Sequence, residues 1–406
     1  MINHRIIDKC LLCDAPVNLV FPLTPTPPAN ALLLEPAEQE TFPLNLMQCK
    51  HCKHLQIDTS VDRESLFRHY LYLSNTSKSN CDYFASYAKT LIERFAPKRV
   101  VDIASNDGLF LSYFKDRNID VLGIDPALNI AKQANEAGIT TIPDFFNELN
   151  AKQIVSDYGK ADLITCNNMF AHNDDLGEII KGVKHLLSEQ GTFVFEVSYA
   201  VSMLKNNLFD LIYHEHIHHH HITPLLNLFE KYSMRIYDAN EVFQTHGGSI
   251  RIFVCHQNSK YRATEQLLVQ LEYEKQSFDH FLSSFVGGVQ EIKNQLTTTL
   301  TKLKQQGKTI SILGYPAKAT TMIYYLGLDQ SLITDIFDDN ALKINRYSPG
   351  KNFKILSTSD IYERKPDCLL ILAWNYAEAL MKTHYKFMDG GGTFVIPLPR
   401  VKLVGA

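Results

Sequence analysis

The chain of 406 residues has few cysteines, eight in all, and no dominant sign of charge: 40 Lys and Arg against 44 Asp and Glu leave a net charge of −4. So few cysteines in that length exclude a disulfide scaffold. A near-neutral balance gives no general pull toward nucleic acid or an anionic membrane surface. No apolar run reaches the roughly 18 residues of a membrane span, and the start lacks the basic and apolar regions of a signal peptide. The expectation is a soluble, unprocessed, cytoplasmic protein with no nucleic-acid or membrane partner. Internal repeats are missing, as is low complexity apart from one run of histidines. The length allows two or three domains, each able to bury its own core. Nothing in the sequence speaks to oligomeric state.

Four of the cysteines are placed with purpose. Cys10-Leu-Leu-Cys13 and Cys49-Lys-His-Cys52 are two C-x2-C knuckles. Each presents two thiolates to one tetrahedral ion, and together they complete a closed shell with no open position, so a structural zinc is expected. Redox pairs or free thiols are the alternatives. The spacer, residues 14 to 48, is rich in proline and reads as a loop that goes out and returns. Lys50, His51 and Lys53 are too few basic groups for a nucleic-acid ribbon.

The stretch from Arg99 to Asp125 organises the rest. Val100, Val101 and Ile103 read as a buried parallel strand with Asp102 near its carboxyl end, followed by the turn Ala104-Ser105-Asn106-Asp107-Gly108. A helix follows with Leu109, Phe110 and Phe114 on one face, then a strand from Val121 that ends in Asp125. This is the βαβ unit that binds an adenosine-containing ligand at the carboxyl ends of an open parallel sheet, with Asp125 able to take both ribose hydroxyls. The G-x-G-x-x-G of a dinucleotide site is absent, and Ser105-Asn106-Asp107 puts polar and acidic groups where a pyrophosphate needs none. A cationic ligand such as S-adenosyl-L-methionine suits Asp102 and Asp107 better. A ligand-free Rossmann-like half is the alternative.

Before this unit, Tyr70 and Tyr72 point to one side of an extended segment and could face a cleft, and a helix runs from about Cys81 to Phe95. After it, a helix from Ala131 to Ala137 and a short strand at residues 140 to 142 lead to Asp144 and Phe145, an acid and an aromatic that could hold an adenine amine and face. The strand from Ala161 to Cys166 ends in Asn167, Asn168 and, slightly further, His172, at the edge where ligands sit. Turn and cap roles are the alternative for these residues. Gly191 to Val197 is a further strand.

The segment Tyr213-His214-Glu215-His216-Ile217-His218-His219-His220-His221 is the most unusual in the chain. It formally matches H-E-x-x-H, but without a helix scaffold or a third ligand a metallopeptidase is a poor fit. A histidine held by a carboxylate is instead a base suited to proton abstraction beside a carbonyl. His246-Gly247-Gly248 turns into a strand carrying Arg251. A long helix from about Thr264 to Gln305 leads to a second α/β unit: a strand from Ile310, Gly314 and Lys318 at a strand-to-helix junction that could bind a phosphate, and strands near 336 to 340, 369 to 375 and 392 to 397. A glycine needed only for the turn is the alternative there.

Taken together, the paired knuckles, the N-D-G turn, Tyr213-His214-Glu215-His216, the GGS-x-R turn and the final G-x-x-A-K unit resemble the sugar C-methyltransferases that act on nucleotide-linked keto-deoxysugars. The resemblance runs from Cys10 to about Pro397. It implies an α/β chain: a zinc-ribbon-like domain (1–75), a central Rossmann-like class I methyltransferase domain (76–258) and a C-terminal Rossmann-like domain (259–406), with the nucleotide between the latter two. The cofactor residues would be Asp102, Ser105, Asn106, Asp107, Gly108, Asp125, Asp144, Phe145 and Asn167. Asn168, His172, Arg251, Gly314 and Lys318 would bind substrate.

The family's base corresponds to His216, with Tyr213, Glu215 and Tyr72 beside it. The expected reaction is methylation of the carbon next to a keto group, C3 by resemblance, through an enolate. His216, oriented by Glu215, removes the proton, and Tyr213 or Tyr72 donates to the oxyanion. Two departures stand out: Ala104 where the family has glycine, and His218 to His221 where it has serine and tyrosine. Zinc metallopeptidase and non-catalytic nucleotide-binding protein are the competing readings.

Overall fold

The computed structural model describes residues 2–70, 73–76, 78–243 and 247–405. Its centre is a seven-stranded sheet of β1 (Arg99–Ile103), β2 (Asp120–Ile124), β3 (Thr141–Ile142), β4 (Ala161–Asn167), β5 (Leu187–Ser198), β6 (Met234–Val242) and β7 (Ser249–His256). The order across the sheet is β6-β7-β5-β4-β1-β2-β3. The strands from β5 to β3 run parallel, while β7 is antiparallel to both of its neighbours. The order reverses between β1 and β4, so the carboxyl ends of Ile103 and Cys166 flank the crevice in which open α/β sheets bind ligands.

Burial on both faces explains why β1 is apolar at consecutive positions. Val100 packs with Phe84, Tyr87, Phe110 and Phe114 on one face, whereas Val101 and Ile103 join the main core on the other. The helix Lys78–Phe95 covers the first face through Phe84, Tyr87, Ala88 and Leu91, a spacing of three and four that lines one stripe.

A second doubly wound sheet follows the 41-residue helix Glu265–Gln305. Its strands lie in the order Ile355–Ser357, Ile336–Asp338, Ile310–Leu313, Cys368–Ile371, Thr393–Ile396, Lys402–Val404, all parallel but the last. The expected α/β class is what forms.

The amino-terminal module pairs His4–Ile6 with Thr59–Val61 and builds a four-stranded sheet from Val17–Pro22, Asn45–Cys49, Leu55–Ile57 and His218–His219. The last strand comes from the histidine run. His218 lies opposite Gln56 and His219 opposite Leu55, and His220 bridges Tyr199 just past β5, so the buried run joins the zinc-knuckle module to the central sheet through a two-residue strand and one further bridge. The spacer between the knuckles also differs from a simple excursion. Leu33 and Tyr347 exchange two backbone hydrogen bonds, 3.0 and 2.8 Å, which ties the spacer to the connecting segment beside the C-terminal sheet. Among the described residues no helix is long and apolar enough to cross a membrane.

Candidate functional site

The turn after β1 is held in an unusual backbone conformation. Ala104, Asn106 and Gly108 all have positive φ (58°, 50° and 77°), so the chain doubles back and points amides at the end of β2. Asp125 collects them: its Oδ2 accepts from Asn106 N and its Oδ1 from Ala127 N, each at 2.9 Å. Gly123 leaves room for this turn, since a Cβ there would sit 2.4 Å from Ser105 Oγ and force that side chain to move. Burial raises the Asp125 carboxyl to about 6, and raises Asp102, which accepts from Thr165 Oγ1 at 2.6 Å, to about 7.

Not every residue expected at the cofactor end faces an open site. Asp107 accepts from Asn75 N (3.0 Å) and Leu109 N (3.2 Å), and Asn106 Oδ1 from Ser74 N (2.9 Å), so Ser74 and Asn75 are pinned over the turn. Phe145 meets the Arg63 and Arg68 guanidiniums, 4.6 and 4.7 Å from its centroid, and Arg68 lies 3.6 Å from Asp144. These arginines stand where an adenine face was expected. The Ser105 hydroxyl and both side-chain polar atoms of Asn167 are buried and have no hydrogen-bond partner among the described residues.

Tyr213 and Glu215 sit in a bend and turn, and His216 in the irregular backbone just after it, rather than on a helix. His216 Nδ1 lies 2.9 Å from the Leu211 carbonyl, which can only accept, so Nδ1 carries the proton. That leaves Nε2 as the basic nitrogen, 2.7 Å from Tyr213 Oη. His172 is brought alongside, its ring centroid 5.2 Å from that of His216, with Phe67 stacked on it at 5.6 Å. Asn168, with φ 56°, opens the turn that carries His172 past the end of β4. Tyr72 lies outside the described residues.

Glu215 does not orient His216. Its two oxygens accept from Asn30 Nδ2 (2.7 Å) and Tyr70 Oη (2.9 Å), and burial raises its carboxyl to about 7. The H-E-x-x-H alternative fails for related reasons. His214 Nε2 is bound to the Pro43 carbonyl, while His218 lies between His54 Nε2 and the Asn173 carbonyl. The described residues contain one group able to hold a metal, and it is the four cysteines.

Two residues assigned to the substrate are engaged internally. Arg251 donates to Glu196 at 2.8 Å and to Tyr83 Oη at 2.9 Å, with its guanidinium 3.3 Å above the Tyr87 ring. Lys318 is buried, donates to Asn375 Oδ1 at 2.9 Å, lies 3.8 Å from Asp210 Oδ2 and 3.8 Å from the Trp374 ring. Trp374 Nε1 donates to the same Asp210 oxygen at 2.6 Å. Burial lowers the Lys318 amine to about 8. Gly314, with φ 80°, serves close packing, because a Cβ would come 2.7 Å from Ala373 Cβ. The acid at the end of the second strand, Asp338, accepts Tyr315 N at 2.7 Å, the same device as Asp125 in the central sheet.

Glu196 and Asn30 were missed in the sequence reading. The first had a signal, a lone acid inside Phe193-Val194-Phe195-Glu196-Val197; the second, at the end of a proline-rich stretch, had none.

The four thiols converge as the knuckles require. Sγ distances are 3.6 Å for Cys10–Cys52, 3.5 Å for Cys13–Cys49 and 3.6 Å for Cys13–Cys52, close to the ~3.8 Å edge of a tetrahedron with Zn–S bonds of about 2.3 Å. Cys49 Sγ also accepts from His51 N and Cys52 N, both at 3.3 Å, as a thiolate in a knuckle does.

Comparison with known proteins matches three stretches to family models: a zinc binding domain over residues 10–67, a methyltransferase domain over 67–237 and a C-methyltransferase C-terminal domain over 244–399. A ubiquinone biosynthesis O-methyltransferase of Acinetobacter baylyi is 29% identical over 105 residues, 25% of this chain and 43% of that protein. The crystal structure of the plantazolicin methyltransferase BamL matches with a TM-score of 0.36 and 15% identity, over 45% of this chain and 87% of that one. C-methyltransferase NovU of Streptomyces niveus is 31% identical over 412 aligned residues, covering 99% of this chain and 98% of NovU. On that whole-length relation the chain belongs to the C-methyltransferase family.

Proposed function

We propose that the protein transfers a methyl group from S-adenosylmethionine to the carbon beside the keto group of a nucleotide-linked keto-deoxysugar, C3 of a 4-keto sugar, with His216 as the base. The observation that carries this reading is the fixed tautomer of His216, whose Nδ1–H is held by the Leu211 carbonyl so that Nε2 carries the lone pair. When bound, S-adenosylmethionine supplies an electrophilic methyl on a sulfonium. The residues at the ends of β1, β2 and β4 fit it. Ser105 Oγ and the Asn167 amide are buried polar groups lacking partners among the described residues, which a ligand rich in donors and acceptors would satisfy, and Asp102 and Asp125 offer carboxylates to its charged and hydroxyl groups.

The chain's own work is proton transfer and charge stabilisation. His216 Nε2 takes the proton from the substrate carbon. Tyr213, which bonds that nitrogen at 2.7 Å, has its hydrogen released to the keto oxygen once substrate occupies Nε2. One such donor typically contributes about 3 kcal/mol to a developing oxyanion. Glu215, the residue before His216 in the chain, is held by Asn30 and Tyr70, and in its ionised form it favours the imidazolium that forms. The four-cysteine zinc serves folding.

His216→Asn tests the reading. Both methyl transfer and exchange of the sugar's α-hydrogen with deuterated solvent are expected to vanish, while affinity for S-adenosylhomocysteine persists. Exchange at the wild-type rate in this variant would end the proposal.

A further inference from the structure

The proline-rich spacer between the cysteine knuckles does more than connect them. Pro27, Pro28 and Ala29 are buried. Ala29 O accepts from Thr320 Oγ1 at 3.4 Å, and Gly350 N donates to Gln39 Oε1 at 2.7 Å. Asn352 exchanges hydrogen bonds with the Ala37 backbone at 3.2 and 3.1 Å. With the Leu33–Tyr347 bridge, these contacts anchor the strap, on both sides of Asn30, to the helix and connecting segment beside the C-terminal sheet. Asn30 Nδ2 then reaches Glu215 Oε1 at 2.7 Å, a separation of 185 residues.

We propose that Asn30 is a positioning residue of the methylation, its amide favouring the ionised form of Glu215, the residue next to His216 in the chain. This rests on the reading above. Glu215 is buried, and among the described residues Asn30 and Tyr70 are the ones that donate to it. Each hydrogen bond donated to a buried carboxylate favours its charged form, so losing one donor raises its pKa. Removing the amide leaves Oε1 with no donor. The carboxyl, already raised to about 7 by burial, then moves higher.

Two substitutions separate a positioning role from packing. Asn30→Ala is expected to lower kcat about tenfold or more near neutral pH, the worth of one hydrogen bond to a charged group, with KM unchanged and the rising limb of the pH profile displaced to higher pH. Asn30→Asp keeps the shape of the side chain but faces one carboxylate with another. It is expected to fail above neutrality and to recover relative to wild type as the pH falls, because one shared proton restores the donor. The probe is a thymidine diphosphate-linked 4-keto-deoxysugar with S-adenosylmethionine. A second readout uses the protein alone: the carboxyl C=O band of Glu215 in difference infrared titration, identified by its loss in Glu215→Gln. Its midpoint should rise in Asn30→Ala.

The inference is overturned if the Glu215 band and both pH profiles match wild type in either variant. Asn30→Asp decides the matter if the alanine variant does not fold. Failure of the wild type to methylate the probe, with the infrared shift intact, would count against the substrate reading and leave the Asn30–Glu215 coupling standing.

Discussion

His218 lies directly opposite Gln56 in an antiparallel pair, and the Gln56 side chain reaches back to the first knuckle, accepting from Leu11 N at 2.9 Å and donating to Lys9 O at 2.9 Å. One more bond, Ile57 N to Ile217 O at 2.9 Å, joins the strand of the knuckle module to the residue after His216. The zinc shell and the proposed base are thus two hydrogen-bonded steps apart.

Loss of the metal should therefore be felt at the base. Stripping zinc with a strong chelator, or replacing Cys10 by Ser, is expected to cost roughly several kcal/mol of stability and to abolish methyl transfer, with both restored by added zinc after chelation. Metal content, thermal melting and activity read together check this. Full activity in zinc-free protein would contradict it.

Ala104 occupies a left-handed position at φ 58° that costs an alanine about 1–2 kcal/mol. Ala104→Gly removes the strain but adds freedom to the unfolded chain, about 0.4–1 kcal/mol. A net gain of about 0.5–1 kcal/mol is expected in urea unfolding. A loss of stability would mean that the methyl group packs usefully against the turn.

Asp210 and Lys318 form a buried pair at 3.8 Å across the boundary between the Tyr213–His216 segment and the C-terminal sheet. Removing one partner strands the other. Lys318→Met is expected to cost about 3 kcal/mol, and the double variant Lys318→Met with Asp210→Asn less than either effect summed. Additive losses in a double-mutant cycle would show that the two groups do not interact.

Acid should destabilise the fold. Burial lowers His218 to about 4, and His219 and His221 to about 3, with His220 also lowered. A histidine with a depressed folded pKa stabilises above its unfolded value near 6.5, and that stability is lost as the pH falls toward the folded value. Asp102 and Glu215, raised to about 7, and Asp125, raised to about 6, act in the opposite sense over the same window. Four histidines against three carboxyls leave the balance with the histidines. Unfolding free energy measured by urea should fall between pH 6.5 and 4, and a flat or rising curve would refute the balance.

The local elements of the fold were legible in the sequence because they are set by neighbours in the chain. Apolar runs mark β1, β4 and the strand Ile310–Leu313; three-and-four spacing marks the helices Lys78–Phe95 and Glu265–Gln305; two C-x2-C pairs mark the thiolate shell. The turn from Ala104 to Gly108 and the acid Asp125 were likewise readable, since a strand, a tight turn and a second strand fix where that carboxylate must sit.

The tertiary structure alone decided which polar groups face one another. Glu215 follows His214 in the chain, yet its partners are Asn30 and Tyr70, and His216 is held by Leu211 and Tyr213. Lys318 reads as a phosphate ligand but lies against Trp374 and Asp210, and in the run of four buried histidines His218 and His219 pair with one sheet while His220 bridges the end of the other. Hydrogen-bond partners of buried polar groups are chosen by whichever donors the packed core delivers, at any separation in sequence, and no local pattern records that choice.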